Sequence, residues 1–195
     1  VAALRGVWDR RQLTNNGPLV MELEQRLAEY LGVAHVVVVN NGTTAIQFAV
    51  RALGLGGEIV TTPFSFVATV SSIVWEGCTP AFADVDAATL MISVPAIERV
   101  LSKRTTAILG THVYGNPCDV DGIEELARQR GIPVLYDAAH AFGARLNGGA
   151  LPAHGDVSTL SFHATKLFHT VEGGAVVTDR ADIADAVRRM RNFGF

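Results

Sequence analysis

Lysine is almost missing from this chain. Of 16 basic residues among 195, Lys103 and Lys166 are the two lysines and 14 are arginines. Cysteine is as scarce: Cys78 and Cys118 have neither zinc-ligand spacing nor the density of a secreted disulfide scaffold, which leaves a reducing cytoplasm as the expected setting. No apolar run approaches the ~20 residues a membrane-spanning helix needs, and no charged-then-apolar start resembles a signal peptide. The net charge is −3 with scattered basic residues, so there is no electrostatic footprint for nucleic acid. The six histidines are dispersed; His163 and His169 lack a second ligand pair at recognisable spacing, and no metal site is expected. What remains is a chain 49% hydrophobic and 18% charged, of a length suited to one well-packed domain.

From residue 34 onward, short β-branched runs alternate with helical periodicity. Strands are expected at 34–39, 58–62, 80–83, 106–113, 133–136, 157–160 and 175–178. Helices are expected at 43–53, 67–76, 95–101 and 119–130, the last with acidic residues at its start, arginines at its end and Gly131 after it. Upstream, Val20, Leu23, Leu27 and Leu31 form one helical face. The run at 34–39 is too uniformly apolar to face water on one side. The pattern implies an α/β fold of three α/β/α layers around a mostly parallel sheet, with ligands at the carboxyl ends of the strands.

Those strand ends carry four candidate features. Asn41-Gly42-Thr43-Thr44 opens directly into a helix, where free amide groups and the helix dipole favour an anion; an ordinary helix cap is the other reading. Asp137 ends a buried strand and is either a cap or a carboxylate for a cationic ring nitrogen, and His140 lies three residues on. Phe66 follows another strand end, as a core residue or a stacking platform. Lys166 lies in a polar, nearly chargeless stretch between two apolar runs, with Ser161 five residues before it. Its amine can lose a proton and attack a carbonyl, which guanidinium cannot do, and burial between those flanks would favour the neutral form. Together the four supply what pyridoxal 5′-phosphate requires: an anion cradle, a carboxylate for the pyridine nitrogen, an aromatic cover and a lysine for the aldehyde.

The sequence resembles the DegT/DnrJ family of sugar aminotransferases, of the aspartate-aminotransferase-like fold. Six ordered blocks carry the resemblance: Asn41–Ala45, Thr62–Thr69, Gly77–Asp86, His112–Gly115, Asp137–Ala141 and Ser161–Gly174, the last containing Lys166. The resemblance implies that Lys166 bonds the cofactor and that Asp137 partners the pyridinium nitrogen, these two being the catalytic pair. His140 neighbours the ring hydroxyl. Gly42, Thr43, Thr44 and Ser161 hold the phosphate, and Phe66 covers the ring. Some relatives carry histidine in place of this lysine and dehydrate their substrate; lysine argues for transamination. The implied donor is glutamate, the acceptor a nucleotide-linked keto-deoxy sugar, and the assembly a homodimer with a shared active site. His163 is read as a supporting residue near Lys166, while Tyr114 and Arg145 are left as possible substrate neighbours.

Relatives are roughly twice as long, with a smaller C-terminal domain. Residues 1–13 are therefore read as an N-terminal arm and 14–195 as the cofactor-binding large domain, with the small domain absent; a natural or engineered truncation, a proteolytic fragment and a partial gene all fit. Two alternatives stay open: a catalytically silent domain that binds cofactor or dimerises, and a lyase or an aminotransferase for another ketone on the same fold.

Overall fold

The computed structural model describes residues 2–194; Val1 and Phe195, the outer ends of the expected arm and domain, lie outside the described residues. In chain order the elements are α1 (Ala2–Arg10), α2 (Pro18–Leu31), β1 (His35–Val39), α3 (Gly42–Ala52), β2 (Glu58–Thr61), α4 (Val67–Trp75), β3 (Thr79–Phe82) and α5 (Val94–Val100). There follow β4 (Thr105–Thr111), α6 (Val120–Arg130), β5 (Val134–Asp137), the hairpin β6 (Arg145–Leu146) and β7 (Gly149–Ala150), β8 (Val157–Ser161), β9 (Gly174–Thr178) and α7 (Ala181–Arg191). Seven strands form one sheet in the order β1-β9-β8-β5-β4-β2-β3. β9 runs antiparallel to both its neighbours, and the remaining pairs are parallel.

Alternation along the strands builds two cores, because successive side chains leave opposite faces of a sheet. Ile108, Val134 and Tyr136 pack with Leu27 of α2, Ile97 of α5 and Ile123 of α6. Leu109, Leu135 and Val176 face the other way, against Val50 of α3, Ile73 of α4 and Val187 of α7. The result is the expected three-layer α/β/α architecture. Among the described residues no helix is long and apolar enough to cross a membrane.

The run at 34–39 is buried at Val36, Val37 and Val39 as expected, and it forms the edge strand of the sheet. Its apolar character survives there because side chains cover the open edge, which would otherwise leave unpaired backbone groups. The Glu24 carboxylate accepts from the Val38 amide (2.8 Å), and the Arg191 guanidinium donates to the Val38 carbonyl (2.7 Å) while pairing with Glu24. The expected strand 106–113 stops at Thr111, and the chain turns through one short 3-10 helix, Val113–Gly115. Residues 138–141 form a turn closed by Ala141 N–H to the Ala138 carbonyl (2.8 Å).

His112, directly after β4, is wholly buried against Tyr136, with ring centroids 4.5 Å apart. Its Nδ1 accepts from the Cys118 amide at 3.1 Å, which closes the turn 112–118. Burial, helped by the nearby His154, pushes its pKa down from 6.5 to about 3. In that window the unfolded chain binds a proton that the folded chain refuses, so stability falls as pH drops from 6.5 toward 3. Urea unfolding across that range is expected to show this group adding a slope of up to about 1.4 kcal/mol per pH unit, and His112→Leu to remove it.

Candidate active site

The parallel strands deliver Asn41, Thr62, His112, Asp137 and Ser161 to the same edge of the sheet, and the reversed β9 starts there at Gly174. Residues 162–173 therefore form a loop standing over that edge, with Lys166 in it. Lys103 precedes β4 and sits at the opposite edge. A cleft of about 680 Å³ opens among these strand ends. Gly42, Thr43, Phe66, Asp137, His140, Ser161 and Lys166 all line it.

The anion-facing end is built by α3. Asn41 is its N-cap, with Oδ1 accepting from the Thr44 amide (2.8 Å). The cap uses the Thr44 amide, and Thr44 is the one expected cofactor-binding residue that does not line the cleft. The Gly42 and Thr43 amides, in the first turn, have no intrahelical acceptors, and the helix dipole adds partial positive charge there. Ser161 closes in from β8: a Cβ placed on Gly42 would stand 2.9 Å from the Ser161 Cβ. Gly42→Ala is therefore expected to wedge α3 from β8. Overpacking of this kind costs about 1–3 kcal/mol of stability, and a parallel loss of affinity for pyridoxal 5′-phosphate is expected; thermal melts and cofactor titration measure the two.

Asp137 ends β5, 5% exposed. Its Oδ2 accepts from the Thr69 hydroxyl (2.7 Å) and its Oδ1 from the Ala139 amide (3.1 Å). The Thr69 hydroxyl lies 2.6 Å from that of Ser65, which in turn lies 3.2 Å from that of Thr111. This hydroxyl relay was not anticipated from the sequence, although Ser65, in the turn before α4, and Thr69, in its first turn, stand only four residues apart. Among the described residues no basic side chain pairs with Asp137. A buried carboxylate without a cation is costly, and hydrogen bonds offset only part of that cost. It suits a cationic ligand atom.

Phe66 precedes α4 and is 71% exposed, which excludes the core reading. The Lys166 loop is anchored from beneath by aromatic rings. Phe162 is wholly buried, and Phe168 stacks on Phe142 (centroids 4.7 Å apart), which stacks on Tyr30 (5.3 Å). Each such pair contributes about 0.5–1.5 kcal/mol beyond its buried area. Lys166 itself is half-buried, and its neighbour Leu167 is 86% exposed. The apolar flanks read from the sequence thus do not enclose the lysine: 157–160 and 175–178 pair with each other in the sheet below.

His163, beside Lys166, lies in the loop with Nδ1 2.9 Å from the Thr165 hydroxyl and Nε2 3.7 Å from the Glu172 carboxylate. Tyr114 lines the cleft. Arg145 lies outside its lining, in the small hairpin, and donates to the Gly148 carbonyl (2.9 Å).

The model of the DegT/DnrJ/EryC1/StrS aminotransferase family matches residues 1–195. The chain belongs to that family. It is 48% identical over 189 residues to a dTDP-4-amino-4,6-dideoxy-D-glucose transaminase of Shigella dysenteriae, covering 97% of this chain and 52% of the relative. Among solved structures it is similar to DesI, determined in the presence of its TDP-sugar product, with a TM-score of 0.96 at 41% identity, over 98% of this chain and 49% of that one. It is also similar to NtdA of Bacillus subtilis, solved with bound cofactor PMP, with a TM-score of 0.86 at 28% identity, over 95% of this chain and 43% of that one. The architecture is the three-layer fold of the type I pyridoxal phosphate aminotransferases. This DegT/DnrJ-family chain spans about half the length of the relatives it matches.

Proposed function

We propose that residues 14–195 form the cofactor-binding large domain of a pyridoxal 5′-phosphate–dependent aminotransferase, with residues 1–13 as an arm. In this reading an amino group passes from an amino acid, glutamate, to a nucleotide-linked keto-deoxy sugar. The observation that carries the proposal is the juxtaposition of Asp137, buried and without a cation, with Lys166, one of two lysines in the chain, on the wall of one cleft.

The residues present fit the cofactor. The Gly42 and Thr43 amides and the Ser161 hydroxyl would bind the phosphate, while Asp137 would accept from a protonated ring nitrogen and stabilise its charge. The exposed Phe66 supplies a flat cover for the ring. When bound, the pyridinium supplies an electron sink for the carbanion left as an amino acid loses its α-proton. Lys166 would hold the cofactor, and its Nζ would be the group on this wall that carries a proton to and from the substrate α-carbon. The hydroxyls of Thr69, Ser65 and Thr111 keep Asp137 oriented toward the cleft.

The substrate reading is supported by the name of the Shigella relative and by the TDP-sugar in DesI, which favour a thymidine-nucleotide sugar. The homodimer belongs to the same proposal. α4 presents Val67, Val74 and Trp75 to solvent in continuity with Phe66 at the cleft, an apolar face suited to a second copy. Cys78 and Cys118 are both free and buried, in keeping with a reducing cytoplasm.

The test is to load the chain with pyridoxal 5′-phosphate, add glutamate, and follow absorbance from the aldehyde to the amine form with release of 2-oxoglutarate. Conversion supports the transaminase reading. Binding without conversion would favour a silent cofactor-binding domain, and no binding would overturn the cofactor assignment.

A further inference from the structure

The turn after β4 makes one contact that the proposed reaction does not use. The Tyr114 amide donates to His140 Nδ1 at 3.2 Å. Tyr114 reaches that position because its backbone is left-handed, φ 56° and ψ 17°, an uncommon region for a residue with a side chain. Gly115 follows at φ +81°, and a Cβ there would stand 2.9 Å from the His140 carbonyl oxygen. The two segments are thus pressed together, with no room for any residue larger than glycine. The turn is in turn tied at its base, where His112 Nδ1 accepts from the Cys118 amide (3.1 Å) and the Gly115 amide donates to the His112 carbonyl (3.1 Å).

We propose that this strained turn fixes the tautomer of His140, so that Tyr114 holds Nδ1 as an acceptor and the ring presents Nε2–H to the cleft. The chemistry is direct. A ring nitrogen that accepts an amide hydrogen keeps its lone pair, so a neutral imidazole must carry its proton on the other nitrogen. A second proton on Nδ1 would set two donors against each other. The setting agrees with a neutral ring, since partial burial and the positive charge of Lys166 lower the His140 pKa, against a smaller opposing effect of Asp137. Tyr114 is then a positioning residue acting through its main chain. Its ring, parallel to that of His140 at 6.1 Å, is not needed for the bond. Resting on the cofactor reading, the Nε2–H donor would face the ring hydroxyl oxygen and favour its ionised form.

The experiment reads the tautomer in the cofactor-free chain, so it stands or falls apart from the cofactor proposal. Two-bond proton–nitrogen correlation spectra of protein labelled at histidine nitrogens, with His140→Gln identifying the signals, should show a pyridine-type Nδ1 and a pyrrole-type Nε2 for His140. Tyr114→Gly keeps the amide, tolerates the positive φ and removes the ring; the signature should persist. Gly115→Ala should lose it, with both nitrogens moving to averaged positions. An Nδ1–H tautomer or an averaged pair in the unaltered protein would overturn the proposal, as would loss of the signature in Tyr114→Gly.

Discussion

Replacing Lys166 by alanine is expected to leave a folded protein in which glutamate no longer converts the cofactor. Loss of a positioned acid–base group alone costs about 10²–10⁴-fold, and covalent attachment of the cofactor disappears with it. Stability should hardly move. The lysine makes no side-chain hydrogen bond among the described residues, and its loop is anchored by Phe162 and Phe168 packing on Phe142, not by the amine. A change within about 0.5 kcal/mol is expected, as for surface substitutions elsewhere. Lys166→Arg should fail as completely, because guanidinium keeps its proton at any working pH. Single-turnover absorbance with glutamate, beside a thermal melt, measures both. Retained conversion in either variant would remove Lys166 from the chemistry.

The second large effect is expected at Asp137, with opposite signs in two measurements. Asp137→Asn preserves shape, and the Thr69 hydroxyl that now donates to Oδ2 at 2.7 Å can instead accept from the new amide. The charge that would pair with a ring cation is gone. Removing one member of a buried charge pair costs about 2–5 kcal/mol, so cofactor affinity or half-reaction rate should fall roughly 30- to 5000-fold. The cofactor-free protein should become more stable, because a 5%-exposed carboxylate without a cation carries a burial cost that its two hydrogen bonds offset only in part. A carboxylate placed for structure predicts the reverse: a lower melting temperature and little change in affinity. Titration with pyridoxal 5′-phosphate and melting of the cofactor-free variant distinguish the two.

Much of this arrangement was legible in the sequence because the β-branched runs are short and their ends are polar. Asp137, Ser161 and the Asn41–Thr43 segment could be assigned to strand ends by pattern alone, and a parallel sheet brings such ends together. What escaped notice depends on residues distant in the chain. The burial of 34–39 was legible, but not its place at the edge of the sheet, since nothing local shows that Glu24 and Arg191, 167 positions apart, cover its open side. Lys166 looked enclosed by apolar neighbours, yet those neighbours are strands paired to each other beneath it. The hydroxyls of Ser65, Thr69 and Thr111 become a relay only when α4 is laid beside β4 and β5. Tyr114 gave a partial signal: the glycine after it marks a turn, but not that the turn is left-handed or that its amide meets His140.

The central claim, that this cleft holds pyridoxal 5′-phosphate through Lys166, is tested most directly by reductive trapping. The chain is incubated with the cofactor, reduced with borohydride, digested and mapped by mass spectrometry. The two lysines sit at opposite edges of the sheet, so Lys103 serves as an internal control for nonspecific reaction. The account predicts a pyridoxyl group on Lys166 and an unmodified Lys103. Modification of Lys103 alone, or of neither lysine in a folded sample, would contradict it.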